Sequence, residues 1–160
     1  MEDIKMNDFI TNDALNFLYE KLKEAILNPI LLSYRLKTIG KTWRGMRPLD
    51  KVLSSGHPIL IIHWEKENNT DEESYAYRGN NQFLITFYGY FDDSEDEDIL
   101  TKYYDIIKQE LINIQYPNKT LKSFSIIQGE SLKSEMIGDK WFMGFEITCE
   151  IILYNKSKEV

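Results

Sequence analysis

Two histidines, one cysteine and a few closely spaced serines and carboxylates are the groups from which this 160-residue chain would have to build chemistry. His57 stands before Pro58 at the start of an apolar run, and His63 lies inside that run. Neither belongs to a His-Glu-x-x-His pattern or has a second ligand at metal spacing, so both read as structural histidines. Ser54 and Ser55 lack the Gly-x-Ser-x-Gly turn that exposes a nucleophile. Cys149 alternates with Glu146, Thr148 and Glu150 on an apolar stripe. A reactive thiolate needs exposure and a positive neighbour, so this cysteine reads as a core residue of a protein from a reducing compartment. Glu146 and Glu150 would point the same way from one strand but about 13 Å apart, too far for paired acid–base work. Six acids crowd positions 92–98. The ligand alternation and central glycine of a calcium loop are missing, whereas acids ahead of a helix favour its positive end. The residues therefore predict no catalytic group, no metal site and no cofactor.

Charge and composition narrow the remaining classes. Nineteen Lys and Arg against 26 Asp and Glu give a net charge of -7 and a pI near 4.9, which repels nucleic acid and anionic membrane except at local basic stretches. No apolar run approaches a membrane span, and the acidic start Met1-Glu2-Asp3 is no secretory signal, so a soluble intracellular protein is expected. Asn118-Lys119-Thr120 then reads as a turn and not a glycosylation acceptor. A chain of this length buries enough surface for one core without a disulfide or metal staple. Ten Tyr and eight Phe exceed what a minimal core needs and suit an interface.

The elements that would carry these residues follow from periodicity. Residues 141–154 alternate strictly: Trp141, Met143, Phe145, Ile147, Cys149, Ile151 and Leu153 are apolar, with Gly144, Glu146, Thr148 and Glu150 between them. Period two predicts a long half-buried strand, the spine of a sheet. Thr11, Asn12 and Asp13 offer cap oxygens before Leu15, Leu18, Leu22, Ala25 and Ile26, which predict an amphipathic helix ending at Asn28-Pro29. Residues 58–65 and 82–91 read as a long antiparallel hairpin joined by a polar turn segment at 65–81. In its second arm Phe83, Ile85, Phe87 and Phe91 share one face, and Gln82, Thr86, Tyr88 and Tyr90 share the other. Ile99, Leu100, Tyr103, Ile106, Ile107, Leu111 and Ile114 form the stripe of a second helix. Residues 121–130 give a weaker strand with Phe124 and Ile126 on one face, and 129–138 a connection.

Between the first helix and the hairpin lies the basic part of an acidic protein. Across 30–56, Arg35, Lys37, Lys41, Arg44, Arg47 and Lys51 face one acid, Asp50. Residues 30–39 read as extended, and the rest as a long irregular connection. Trp43 and Met46 among the cations suit docking on an acidic protein surface, while a phosphate loop with Gly-Lys-Ser/Thr is missing.

The expected fold is a single α+β domain over 1–160, a two-layer sandwich with two helices on one face of a four-stranded, mainly antiparallel sheet in the order α-β-β-α-β-β. Tyr88, Tyr90, Phe142, Thr148, Ile152 and Tyr154 would project from the uncovered face, a partly apolar surface expected to meet another subunit.

This order of elements, with the closing stretch Asp139-Lys140-Trp141-Phe142-Met143-Gly144-Phe145-Glu146-Ile147-Thr148-Cys149-Glu150-Ile151, resembles the tail terminator (tail completion) proteins of tailed bacteriophages and related tail-like particles. The resemblance covers most of 12–154, and the basic segment 30–56 departs from the most compact members. It implies a structural virion protein and not an enzyme. Such a protein forms a homo-hexameric ring that sits on the last ring of tail tube protein, stops tube growth and presents the tail side of the head–tail junction. Its partners would be its own copies, tube protein, and sheath, neck or connector proteins, after assembly in the cytoplasm of a host bacterium. The interface residues above would make subunit contacts, and Arg35, Lys37, Lys41, Trp43, Arg44 and Arg47 would dock an acidic partner. An acidic pore would let DNA pass without holding it. Other neck, head-closure or baseplate components fit the same pattern. The reading from a different class is a small-molecule-binding α+β domain with a pocket between helices and sheet.

Overall fold

A computed structural model describes residues 10–45, 58–69, 77–91, 97–114, 121–137 and 140–155. In chain order the elements are α1 (Ile10–Leu22), α2 (Glu24–Ser33), β1 (Lys41–Arg44), β2 (Ile59–Asn69), β3 (Tyr77–Phe91), α3 (Glu97–Ile112), β4 (Leu121–Ile137) and β5 (Lys140–Asn155). The strands form one mixed sheet in the order β1-β2-β3-β5-β4. Only the β1–β2 pair is parallel. The α+β class stands, but among the described residues the sheet has five strands where four were expected, and the helical layer has three segments where two were expected.

The alternating run behaves as its period dictates. Met143, Phe145, Ile147, Cys149 and Ile151 of β5 and Phe83, Ile85, Phe87 and Phe91 of β3 all enter the main core, joined by Leu60 and Ile62 of β2. β5 pairs with β3 on one side and β4 on the other, so the predicted spine strand lies inside the sheet. All three helices pack on this face through Ala14, Leu18, Leu22, Leu27, Leu31, Leu100, Tyr103, Ile107 and Leu111. Phe87 is the keystone: its ring stacks on Phe145 at 4.9 Å and meets Tyr103 of α3 at 4.7 Å.

The first helix is not one rod ending at Pro29. It breaks at Lys23, whose extended backbone (ψ 168°) starts α2, and Pro29 lies inside α2. Proline there forfeits the N–H bond to the Ala25 carbonyl, but Pro29 and Ala25 are both exposed, so water can take that carbonyl. The break rotates the apolar stripe. Ala25 and Ile26, expected in the core, face solvent, and Leu27 and Leu31 replace them.

The extended reading of 30–39 also fails, because Ile30 to Ser33 continue α2. Arg35 then turns the chain in the left-handed region (φ 59°), and Lys41–Arg44 form β1, pairing Trp43 with Ile61. Most of the 129–138 connection is instead strand: β4 runs on to Ile137, which pairs with Lys140 of β5. Asn81, read as turn material, lies inside β3 and is fully buried, accepting a hydrogen bond from Trp64 Nε1 at 2.8 Å. Of the acid run, Glu97 and Asp98 do occupy the first turn of a helix, and positions 92–96 lie outside the described residues.

Candidate interaction surface

With the helices on one face, the other face shows which residues the register gathers. Ile59 and Ile61 of β2 pair with Tyr88 and Thr86 of β3, and Tyr90 pairs with Phe142 of β5. Ile59, Ile61 and Phe142 are nearly fully buried, with Trp43, Tyr88 and Tyr90 packed against them as a second, smaller cluster. Tyr90 and Phe142 meet at 5.9 Å. Tyr88 lies across Gly144, where an added Cβ would come within 2.9 Å of its ring and 2.3 Å of the Phe87 carbonyl oxygen.

Of the six residues expected to share this face, Tyr88, Tyr90 and Phe142 therefore come together. Thr148 and Ile152 lie farther along β5, opposite Leu84 and Asn80, and are half-buried. Phe142 and Ile152 are ten residues apart, about 33 Å of strand. Tyr154 belongs to β5, and its side chain lies outside the described residues. Sequence reading missed Ile59, Ile61 and Trp43 as the floor of this cluster. The signal was present in Ile59-Leu60-Ile61-Ile62, since an unbroken apolar run marks a strand buried on both faces.

Between the aromatic cluster and Thr148 the face turns acidic. Thr86, Glu146 and Glu130 stand in one row across β3, β5 and β4. Burial first, then the charges of Glu130 and Glu65, push the Glu146 carboxyl above its ordinary range, and a hydrogen bond with Thr86 pulls it back. Tyr88 is raised by burial and then by Glu135 and Glu146. Glu65 of β2, Glu146 of β5 and Glu130 and Glu135 of β4 thus make this face acidic, while β4 as a strand carries Lys122 and Lys133 beside its two glutamates.

The β1 edge is basic. Lys41 and Arg44 are exposed on β1, and Arg35 and Lys37 are exposed in the link that leads to it. Lys41 stacks over Trp43 at 5.3 Å. Arg44 rests over Tyr19 at 5.3 Å and bonds Asn16 Oδ1. None of these four cations has an ion-pair partner among the described residues. Arg47, the remaining member of the expected docking segment, lies outside the described residues, as do His57, Ser54 and Ser55.

The backbones of the two edges differ as well. On β1 the Thr42 N–H is taken by the Glu24 carboxylate at 2.6 Å. Among the described residues β4 has no strand beyond it, and its ladder with β5 slips at three places. Above the middle of β4 an open groove of about 450 Å³ runs between Tyr104, Lys108 and Ile112 of α3 and Phe124, Ile126 and Gly129 of β4. Neither this groove nor the one of about 380 Å³ between Tyr34, Leu36, Ile106 and Gln109 has carboxylate and histidine side chains set against each other. Cys149 is fully buried, and burial alone pushes its thiol up to about 12. Among the described residues no three His, Cys, Asp or Glu side chains are placed to share a metal ion, and no helix is long and apolar enough to cross a membrane.

Compared with known family models and with curated proteins, the chain matches none.

Proposed function

We propose that this chain is a structural subunit of a phage tail or tail-like particle, a tail terminator that closes as a homo-hexameric ring on the end of the tail tube. The ring ends tube polymerisation and offers the tail side of the junction with the head. What supports this reading is one relationship. Among the described residues, a sheet roofed by helices on one side keeps an aromatic and acidic face on the other, and its β1 edge carries exposed cations. Such a subunit is built to be flanked by protein. Tyr88, Tyr90 and Phe142 would stiffen the face that neighbours meet, and Arg35, Lys37, Lys41 and Arg44 would dock on an acidic protein surface. The net charge of -7 suits a passage that lets DNA slide without retention.

The test is native mass spectrometry of the purified chain, alone and with tube protein, beside a tube-length assay by electron microscopy. A six-membered species that caps tubes and shortens them supports the reading. Chains that stay monomeric at micromolar concentration with tube protein present, and leave tube length unchanged, overturn it.

A further inference from the structure

Resting on the docking role proposed above, we infer that the contact centres on the groove between the end of α2 and α3, and that its occupant is an acidic segment of a protein partner carrying a large apolar anchor. A surface helix normally keeps its outer face polar. α2 does not: Leu27 and Leu31 fill the core, yet Leu32 is 62% exposed, and Tyr34 just past the helix is 65% exposed. This outward apolar stripe ends at an open groove of about 380 Å³, with Tyr34 and Leu36 on one wall and Ile106 on the other. Apolar surface set in a pocket and bordered by charge is where a partner's anchor side chain gains most.

The charges beside the groove select the occupant. Lys102 and Asp105 of α3 both line it and offset each other. The excess comes from Arg35 and Lys37, which flank Leu36 in the chain, are exposed and have no ion-pair partner among the described residues. Arg35 also sits against the preference of its backbone. Its N–H bonds the Leu32 carbonyl at 2.9 Å while the Leu36 N–H bonds the Leu31 carbonyl at 2.9 Å, a helix-closing turn whose left-handed position usually falls to glycine. At φ 59° a side chain raises the backbone energy, and strain of this kind gathers where a side chain serves function.

The test measures binding of the full chain to tube protein, with Arg35→Gly for the charge, Tyr34→Ser for the apolar wall, and Met136→Ser, 52% exposed on β4, as the control. Arg35→Gly should melt no lower than the wild type, because glycine suits the left-handed position, and yet bind on the order of tenfold more weakly, as should Tyr34→Ser. Met136→Ser should bind as the wild type does, and added salt should weaken the wild type toward Arg35→Gly. If both groove variants bind like the wild type, the groove assignment is wrong while the ring reading stands; a wild-type chain that never binds tube protein takes down both. Loss of self-association with tube binding intact would give the groove to another copy, and capture by phosphatidylglycerol vesicles that Arg35→Gly abolishes would give it to a lipid surface. Either result overturns the assignment to an acidic protein segment.

Discussion

The side-chain amide of Asn28 bonds both backbone groups of Ile39, accepting from its N–H at 2.8 Å and donating to its carbonyl at 3.1 Å. A residue on α2 thereby acts as a one-residue strand partner for the chain entering β1. It anchors the basic rim to the helical layer, and Tyr103 adds a second tie by donating to the Lys37 carbonyl at 2.6 Å.

Asn28→Ala should destabilise the fold by about 1–3 kcal/mol, since Ile39 is buried and both of its backbone groups lose their partner. Asn28→Asp should recover only the accepting half. Urea denaturation of the three proteins would reveal the order, and equal midpoints would mean water replaces the amide.

Glu24→Ala should cost about 1–3 kcal/mol by freeing the Thr42 N–H, whereas Glu24→Gln, which keeps an accepting oxygen, should cost less. Hydrogen exchange at Thr42 is the sharper readout: protection should fall in the alanine variant and persist in the glutamine one.

Gly144→Ala should cost about 1–3 kcal/mol by overpacking, because the new methyl would lie against the Phe87 carbonyl, which cannot swing aside. Gly129→Ala meets the hydroxyl end of Tyr104, which can rotate away, so it should cost less. Thermal melts showing the reverse order would contradict this account.

Alkaline pH should unfold the protein earlier than surface charge alone would. Burial raises Tyr103 from 10.0 to about 12 and Cys149 from 9.0 to about 12. Each group is neutral when protonated, and the unfolded chain releases its proton first. Stability is thus whole below about pH 9 and falls as pH climbs through 9 to 12, by up to about 1.4 kcal/mol per pH unit for each proton. Cys149→Ala with Tyr103→Phe should flatten this slope, followed by denaturation midpoints at stepped pH; an unchanged slope would assign it to other groups.

Period and position explain what was legible beforehand. The stripes of β3, β5 and α3 could be read directly because each faces one core, and Phe83, Phe145 and Ile107 are buried where the alternation placed them. β1 escaped notice because four residues are too few to show a period and its partner β2 is distant in sequence. Pro29 misled because its cost depends on whether the orphaned carbonyl is wet, a tertiary matter. The candidate site was half visible. The aromatic residues and the cations were named, but the acidic part of the face was not, since Glu65, Glu130, Glu135 and Glu146 are scattered in sequence and meet only through the pairing of four strands.

The strand order carries a cost during synthesis. β3 sits between β2, made just before it, and β5, made last. While the ribosome works through α3 and β4, the side of β3 meant for β5 stays unpaired, with Phe83, Ile85 and Phe87 uncovered by β5. A nascent chain halted there would expose a fifteen-residue adhesive edge, the kind of template on which unfinished polypeptides aggregate.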